Sequence, residues 1–147
     1  MSARANYYQL NRPAIDALVA VGKQLTSIDP KLRALVELRC SQINGCVYCV
    51  NLHSTEARAH GETEQRLDLV CAWHECEFFD DAERAALGWA EALTSVSQTH
   101  APDDAYNALR AHYTDQQIVD LTLIISTINA WNRIAIGHRT RPPRRKE

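Results

Sequence analysis

The sequence predicts an all-α protein, a single helical domain of about six to seven helices. Helix-start signals recur along the chain, and no segment shows convincing strand alternation. The 147 residues are 46% apolar and 23% charged, an ordinary globular balance in a chain long enough to bury a core without disulfide support.

Each element has a local reason. Asn11 to Pro13 supplies a cap region and a proline for the first turn, opening a helix through about Leu25. Asp29-Pro30 repeats the device, and Leu32, Leu35, Val36 and Ile43 follow the helical period behind it. Asn44-Gly45 breaks that helix. A third is expected from about Cys46 to His60, closed by Gly61 as a left-handed cap. Thr63 caps a fourth helix carrying Leu67, Val70 and Cys71. Asp80 with Glu83 reads as a capping box before Leu87, Ala90, Leu93 and Val96, and Pro102 falls in the first turn of a sixth helix. Thr114 with Gln117 makes a second capping box ahead of a long apolar helix that Gly137 is expected to end. That last helix is apolar around most of its circumference, so it needs packing on several sides, from its own bundle or a second subunit.

The domain is expected to span residues 1–138, followed by a basic and mobile tail, 139–147. The net charge of −2 supplies no field drawing the chain to nucleic acid or an acidic membrane. The first six residues lack the apolar stretch of a signal peptide. Asp120, Asn129, Asn132 and Arg133 interrupt the apolar run from Ile118 to Ile136, which argues for a buried helix over a bilayer span. The expected location is therefore the cytoplasm. In that reducing compartment a close cysteine pair is more often catalytic or metal-binding than a structural bridge.

The segment Cys46-x-x-Cys49-x-x-x-His53 carries the chemistry. At about 100° per residue, Cys46 and Cys49 form an i,i+3 pair and Cys49 and His53 an i,i+4 pair, so all three share one helix face. The Asn44-Gly45 break puts both sulfurs in the first turn, where free amides and the helix dipole favour thiolate. A thiolate attacks a peroxide oxygen or a disulfide sulfur, His53 is within reach of Cys49 as a base, and a second thiol traps a sulfenic acid before over-oxidation. Two other readings stand beside this one. The cysteines could be small core residues. Alternatively, Cys46, Cys49 and His53 could ligate zinc with a fourth ligand from Cys40, Glu37 or a distant histidine, although His100 and His112 are poorly spaced for it. Glu37 lies on the preceding helix, either facing solvent, or paired with Arg33 or Arg39, or, if the chain folds back across Asn44-Gly45, accepting a proton from His53.

Other conspicuous residues carry modest expectations. Cys40 is expected to pack inside its helix, and nothing nearby marks Cys71 or Cys76 as activated. Trp73, Trp89 and Trp131 are core or interface anchors, His74 beside Glu75 is a surface pair, and Tyr48 lines the site. Asn129, Asn132 and Arg133 must find hydrogen-bond partners if buried, and a structural network or subunit contact is favoured over substrate binding.

The stretch from Leu35 to His53, with Glu37 ahead of Cys46-x-x-Cys49-x-x-x-His53, resembles the core of the carboxymuconolactone decarboxylase family and, more closely, its alkylhydroperoxidase D-like branch. The likeness continues through Gly61 to Leu67, Phe78-Phe79 with Glu83 to Leu87, and Asn129 to Arg133, and so covers nearly the whole chain. The resemblance implies an orthogonal helical bundle that assembles as a homo-oligomer, a trimer or hexamer. It implies thiol-dependent hydroperoxide reduction through a disulfide cycle, with Cys49 attacking, Cys46 resolving, and His53 and Glu37 forming the proton relay. A dithiol, a thioredoxin-like protein or a lipoyl group would supply electrons, and no metal or organic cofactor is implied. The decarboxylases that name the family act on a lactone and lack the cysteine pair, so its presence here argues against that activity. The expectation is a peroxidase-like or disulfide-reducing enzyme. Its rival is a non-enzymatic redox sensor or partner-binding protein of the same fold.

Overall fold

Polar caps and prolines set where this chain turns helical, and they place ten helical segments in a computed structural model that describes residue 2 and residues 4–144. Arg145 and Lys146 of the basic tail lie outside the described residues, as do Met1 and Ala3. Asn6 accepts the Gln9 amide and opens α1 (Tyr7–Leu10). α2 (Arg12–Gln24) carries Pro13 in its first turn. Asp29 accepts from the Lys31 and Leu32 amides and starts α3 (Pro30–Asn44). α4 (Val47–Ala59) follows Gly45, and α5 (Glu64–Leu69), capped by Thr63, runs into a 3-10 segment, Val70–Glu75. Capping boxes at Asp80/Glu83 and Thr114/Gln117 open α6 (Asp81–Thr94) and α9 (Asp115–His138), with α7 (Val96–Thr99) and α8 (Asp103–Arg110) between them.

The all-α prediction holds, and the departures from it are local. α1 was not anticipated, because four residues offer too little periodicity to read. Cys46 is the cap of α4 and not its first turn, and Pro102 likewise caps α8. Gly137 does not end α9: the helix runs through it to His138, and Arg139 takes the left-handed cap at φ 56°. The fourth helix splits where Ala72 leaves helical geometry.

α3 lies at the centre, packed against α4, α6 and α9. One apolar cluster joins Val36 and Cys40 of α3 to Ala86 and Ala90 of α6 and to Leu121, Ile124, Ile125 and Ile128 of α9. A second lies on the other side, where Leu35 and Leu38 meet Ala57, Leu67, Phe79 and Leu87. Arg66 stitches the second layer: it pairs with Glu62 at 2.8 Å, also meets Glu83 and the Phe78 carbonyl, and stacks 4.6 Å over the Phe79 ring.

Two polar clusters fix the elements that frame the site. Asn44, the last residue of α3, donates to Asn132 Oδ1 at 2.8 Å and to Asn129 Oδ1 at 2.9 Å on α9. Asn132 donates in turn to Ser41 Oγ at 3.0 Å, Asn129 to Thr94 Oγ1 at 3.0 Å, and Arg133 to Asn129 Oδ1 at 3.0 Å. The polar residues of the apolar helix therefore form the expected structural network. On the other flank, Asp120 accepts from Ser27 Oγ at 2.7 Å and from Gln116 at 2.8 Å, holding the α2–α3 loop on α9.

Asn132 is fully buried, so replacing it by alanine orphans donors and acceptors on Asn44 and Ser41. The expected cost is about 1–3 kcal/mol, read as a lower denaturant midpoint at unchanged slope. A loss below about 0.5 kcal/mol, the range of ordinary surface substitutions, would show that the network does not carry this helix junction.

Candidate active site

The turn between α3 and α4 builds the site. Gly45 adopts φ 70°, a left-handed conformation that glycine enters without Cβ strain, and the Cys46 amide returns to the Ser41 carbonyl at 3.0 Å. The chain is thereby reversed within two residues, so α4 lies against α3. Cys46 then sits at the cap of α4, its Sγ accepting from the Cys49 amide at 3.3 Å. The two sulfurs are bonded as a disulfide with Cα atoms 5.3 Å apart. Both cysteines are buried and belong to the apolar cluster that also holds Cys40.

Along α4, His53 comes one turn after Cys49 and Glu56 three residues later. Because α4 folds back on α3, Glu37 reaches the same imidazole: His53 Nδ1 lies 3.3 Å from Glu37 Oε2 and 2.8 Å from Glu56 Oε2. Arg33 Nε donates to Glu37 Oε1 at 3.2 Å, and Arg33 is itself held by the carbonyls of Gly22 at 2.9 Å and Leu25 at 3.2 Å. Arg39, the other predicted partner of Glu37, pairs with Glu91 instead, at 2.7 Å.

The two carboxyls differ in environment. Glu37 has 12% of its side chain exposed, and burial pushes its carboxyl up despite the opposing charges of His53 and Arg33. Glu56 is 44% exposed, and the hydrogen bond from His53 holds it below the usual carboxylate range. These residues open onto a cavity of about 660 Å³ walled by α1, α2, α3, α4 and α9. Tyr48, Cys49 and His53 line it, Trp131 and Ile128 close it from α9, and Tyr7 and Tyr8 border it from α1. Cys49 reaches this cavity, whereas Cys46 is not among its lining residues.

All four sequence-predicted residues, Cys46, Cys49, His53 and Glu37, therefore meet at one place. Tyr48 lines the site as expected, and Trp131 is a cavity wall. Glu56 was missed, although it lies i,i+3 from His53, and a search of that helix face would have found it. For zinc, Cys46 and Cys49 are committed to each other here. Among the described residues, Glu37, His53 and Glu56 each offer a ligand atom within 4.8 Å of the others. The Arg33 guanidinium already compensates Glu37, which weakens that group as a cation site.

The chain and its fold are similar to those of known proteins. The family model described as the carboxymuconolactone decarboxylase family matches residues 13–92. The uncharacterised protein YdfG of Bacillus subtilis is 41% identical over 139 residues, 93% of this chain and 95% of its own length. A crystal structure from Agrobacterium tumefaciens, described as a protein of unknown function with a suggested AhpD antioxidant-defence role, is 40% identical at TM-score 0.94, covering 98% of this chain and 100% of that one. An uncharacterised peroxidase-related protein from Ralstonia eutropha, described as having an alkylhydroperoxidase AhpD core, shares the fold at TM-score 0.82 and 23% identity, over 92% of this chain and 74% of its own. The fold is AhpD-like, and the chain, which carries a close cysteine pair, belongs to the carboxymuconolactone decarboxylase family.

Proposed function

We propose that this protein is a thiol-dependent hydroperoxide reductase that cycles between the Cys46–Cys49 dithiol and its disulfide. The observation that carries this reading is the asymmetry of the pair: Cys49 lines a cavity together with His53, while Cys46 stands behind it within bonding distance. In the reduced state the Cys49 proton passes to His53, and the thiolate attacks the terminal peroxide oxygen. The O–O bond breaks, the alcohol leaves with a proton from His53, and Cys49 is left as a sulfenic acid. Cys46 displaces the hydroxyl as water and closes the disulfide. A dithiol, thioredoxin-like or lipoyl reductant attacks the cavity-side sulfur of Cys49, releasing Cys46 as thiolate, and its second thiol then displaces Cys49 from the mixed disulfide, leaving the reductant oxidised and the pair reduced. The largely apolar cavity of about 660 Å³ accommodates an organic hydroperoxide as readily as hydrogen peroxide.

A sensor would need the dithiol but neither the cavity nor the positioned imidazole, so sustained peroxide consumption with a dithiol donor separates the enzyme from its rival. One equivalent of peroxide on the reduced chain is expected to produce a Cys46–Cys49 disulfide, read by intact mass and peptide mapping. Oxidation at Cys40, Cys71 or Cys76 with that pair left reduced would sink the assignment.

Replacing His53 by alanine is expected to slow Cys49 alkylation and peroxide reduction near neutral pH by about 10²–10⁴-fold, with partial recovery at high pH where hydroxide makes the thiolate unaided. An unchanged pH profile would mean that His53 is not the base. Cys49→Ser is expected to be inactive at every pH.

The reading includes a homo-oligomer, a trimer or hexamer. Supporting it, Val119 and Leu123 of α9 remain 54% and 41% exposed, one turn apart on a single face. Light scattering is expected to give a multiple of the 16.6 kDa chain mass at micromolar concentration; a monomer across that range would refute the assembly.

A further inference from the structure

Two carboxylates converge on one nitrogen of His53, and they are not equivalent. Glu37 is already committed through Oε1 to Arg33, and its contact with Nδ1 is the longer, 3.3 Å. Glu56 approaches the same nitrogen at 2.8 Å from the next turn of the same helix, where the backbone holds both residues in register. An imidazole nitrogen facing two carboxylate oxygens keeps its proton, and the opposite nitrogen then carries the lone pair. Resting on the dithiol reading above, we propose that Glu56 is a positioning residue that fixes the His53 proton on Nδ1, leaving Nε2 to take the proton of Cys49.

Neither the family likeness nor the sequence pattern assigns a role to Glu56; the relay they imply stops at Glu37. The proton count in the proposed step is simple. The Cys49 S–H bond breaks, an Nε2–H bond forms, and the Nδ1 proton stays on the ring, where Glu56 stabilises the resulting imidazolium. Nε2 then returns its proton to the departing alcohol oxygen, and Glu56 ends the step as it began. Glu56 suits this task better than Glu37, because it remains an anion in a partly solvated position while burial favours the neutral form of Glu37.

The charged and titratable groups around the cavity come from each wall. α3 presents Arg33 and Glu37, and α4 presents Tyr48, Cys49, Glu56 and His60. α2 contributes Lys23 and α1 contributes Tyr7 and Tyr8, while the α9 wall, Thr127, Ile128, Trp131 and Ala135, has no titratable side chain. Glu56 is thus the anion in closest contact with the imidazole.

The test uses the reduced full chain labelled with ¹⁵N, read by long-range nitrogen–proton correlation of the imidazole ring and by Cys49 alkylation against pH. Neutral His53 is expected to carry its proton on Nδ1. In Glu56→Ala the ring should shift toward the Nε2–H tautomer, and alkylation near neutral pH should slow by about 10-fold, recovering at high pH. Glu56→Gln keeps an acceptor but not the charge, so it should retain the Nδ1–H tautomer with an intermediate rate; it also separates lost positioning from lost folding. A wild-type ring protonated on Nε2, or a Glu56→Ala chain with wild-type tautomer and alkylation profile, would overturn the assignment. If the ring signals behave as stated but no hydroperoxide is turned over, the proposed enzyme activity fails while the role of Glu56 stands.

Discussion

The side-chain amide of Asn44 holds the site in place. It ends α3, and its two hydrogen bonds to Asn129 and Asn132 fasten that end to α9 one residue before the left-handed Gly45. Everything after it inherits that position: the reversal at Gly45, the cap at Cys46, and the line of Cys49, His53 and Glu56 along α4. Were the end of α3 free to fray, as helix termini commonly are, the approach of Glu37 to His53 would be lost first. That contact joins two helices that pack closely on each other, Leu35 and Leu38 of α3 meeting Ala57 of α4. Buried amide networks are costly when incomplete, and this one is satisfied outward to Ser41, Thr94 and Arg133.

The second constraint is electrostatic. One buried imidazole, two carboxyls and one guanidinium share a small volume, and their arrangement divides the labour. Arg33, pinned by two backbone carbonyls, offsets the cost of keeping Glu37 inside. Glu56 sits toward solvent at the cavity margin, where an anion costs little to maintain. The arrangement leaves the more exposed carboxyl at the shorter distance from the imidazole and the buried one paired with a guanidinium.

Much of this was legible in the sequence because the signals were local. Capping boxes at Asp80/Glu83 and Thr114/Gln117 formed as read, and Cys49 and His53 lie one turn apart along α4 as their i,i+4 spacing requires, with Cys46 at its cap instead of in its first turn. The polar residues within α9 announced a network by their mismatch with the apolar run around them. What the sequence hid was long-range. The i,i+4 spacing already favours Arg33 over Arg39 as the partner of Glu37, since Arg39 lies two residues on and faces away; the partner of Arg39, Glu91 on α6, is the contact that sequence alone does not show. The cavity is equally non-local, assembled from five helices, and α1 is too short to show a period. Gly137 misled because glycine marks helix ends only statistically. Here the helix runs through Gly137 to His138, and Arg139 supplies the left-handed residue instead.

Cys40 shows how far environment decides the chemistry of a thiol. It shares an apolar cluster with Cys46 and Cys49 and lies only six residues before the pair. Yet it sits inside α3 with no free amides around it, and burial pushes its thiol up to about 12. At neutral pH it stays protonated and behaves as a small apolar side chain. Cys71, at the other extreme, is exposed in the 3-10 segment, away from the imidazole and the cavity. Reactivity requires access and stabilisation of the thiolate together, and Cys40 has neither. The start of α4 places Cys49 at a helix terminus, one turn from His53 and beside an open cavity. The same core that buries Cys40 thus leaves Cys49 as the cysteine that lines the cavity.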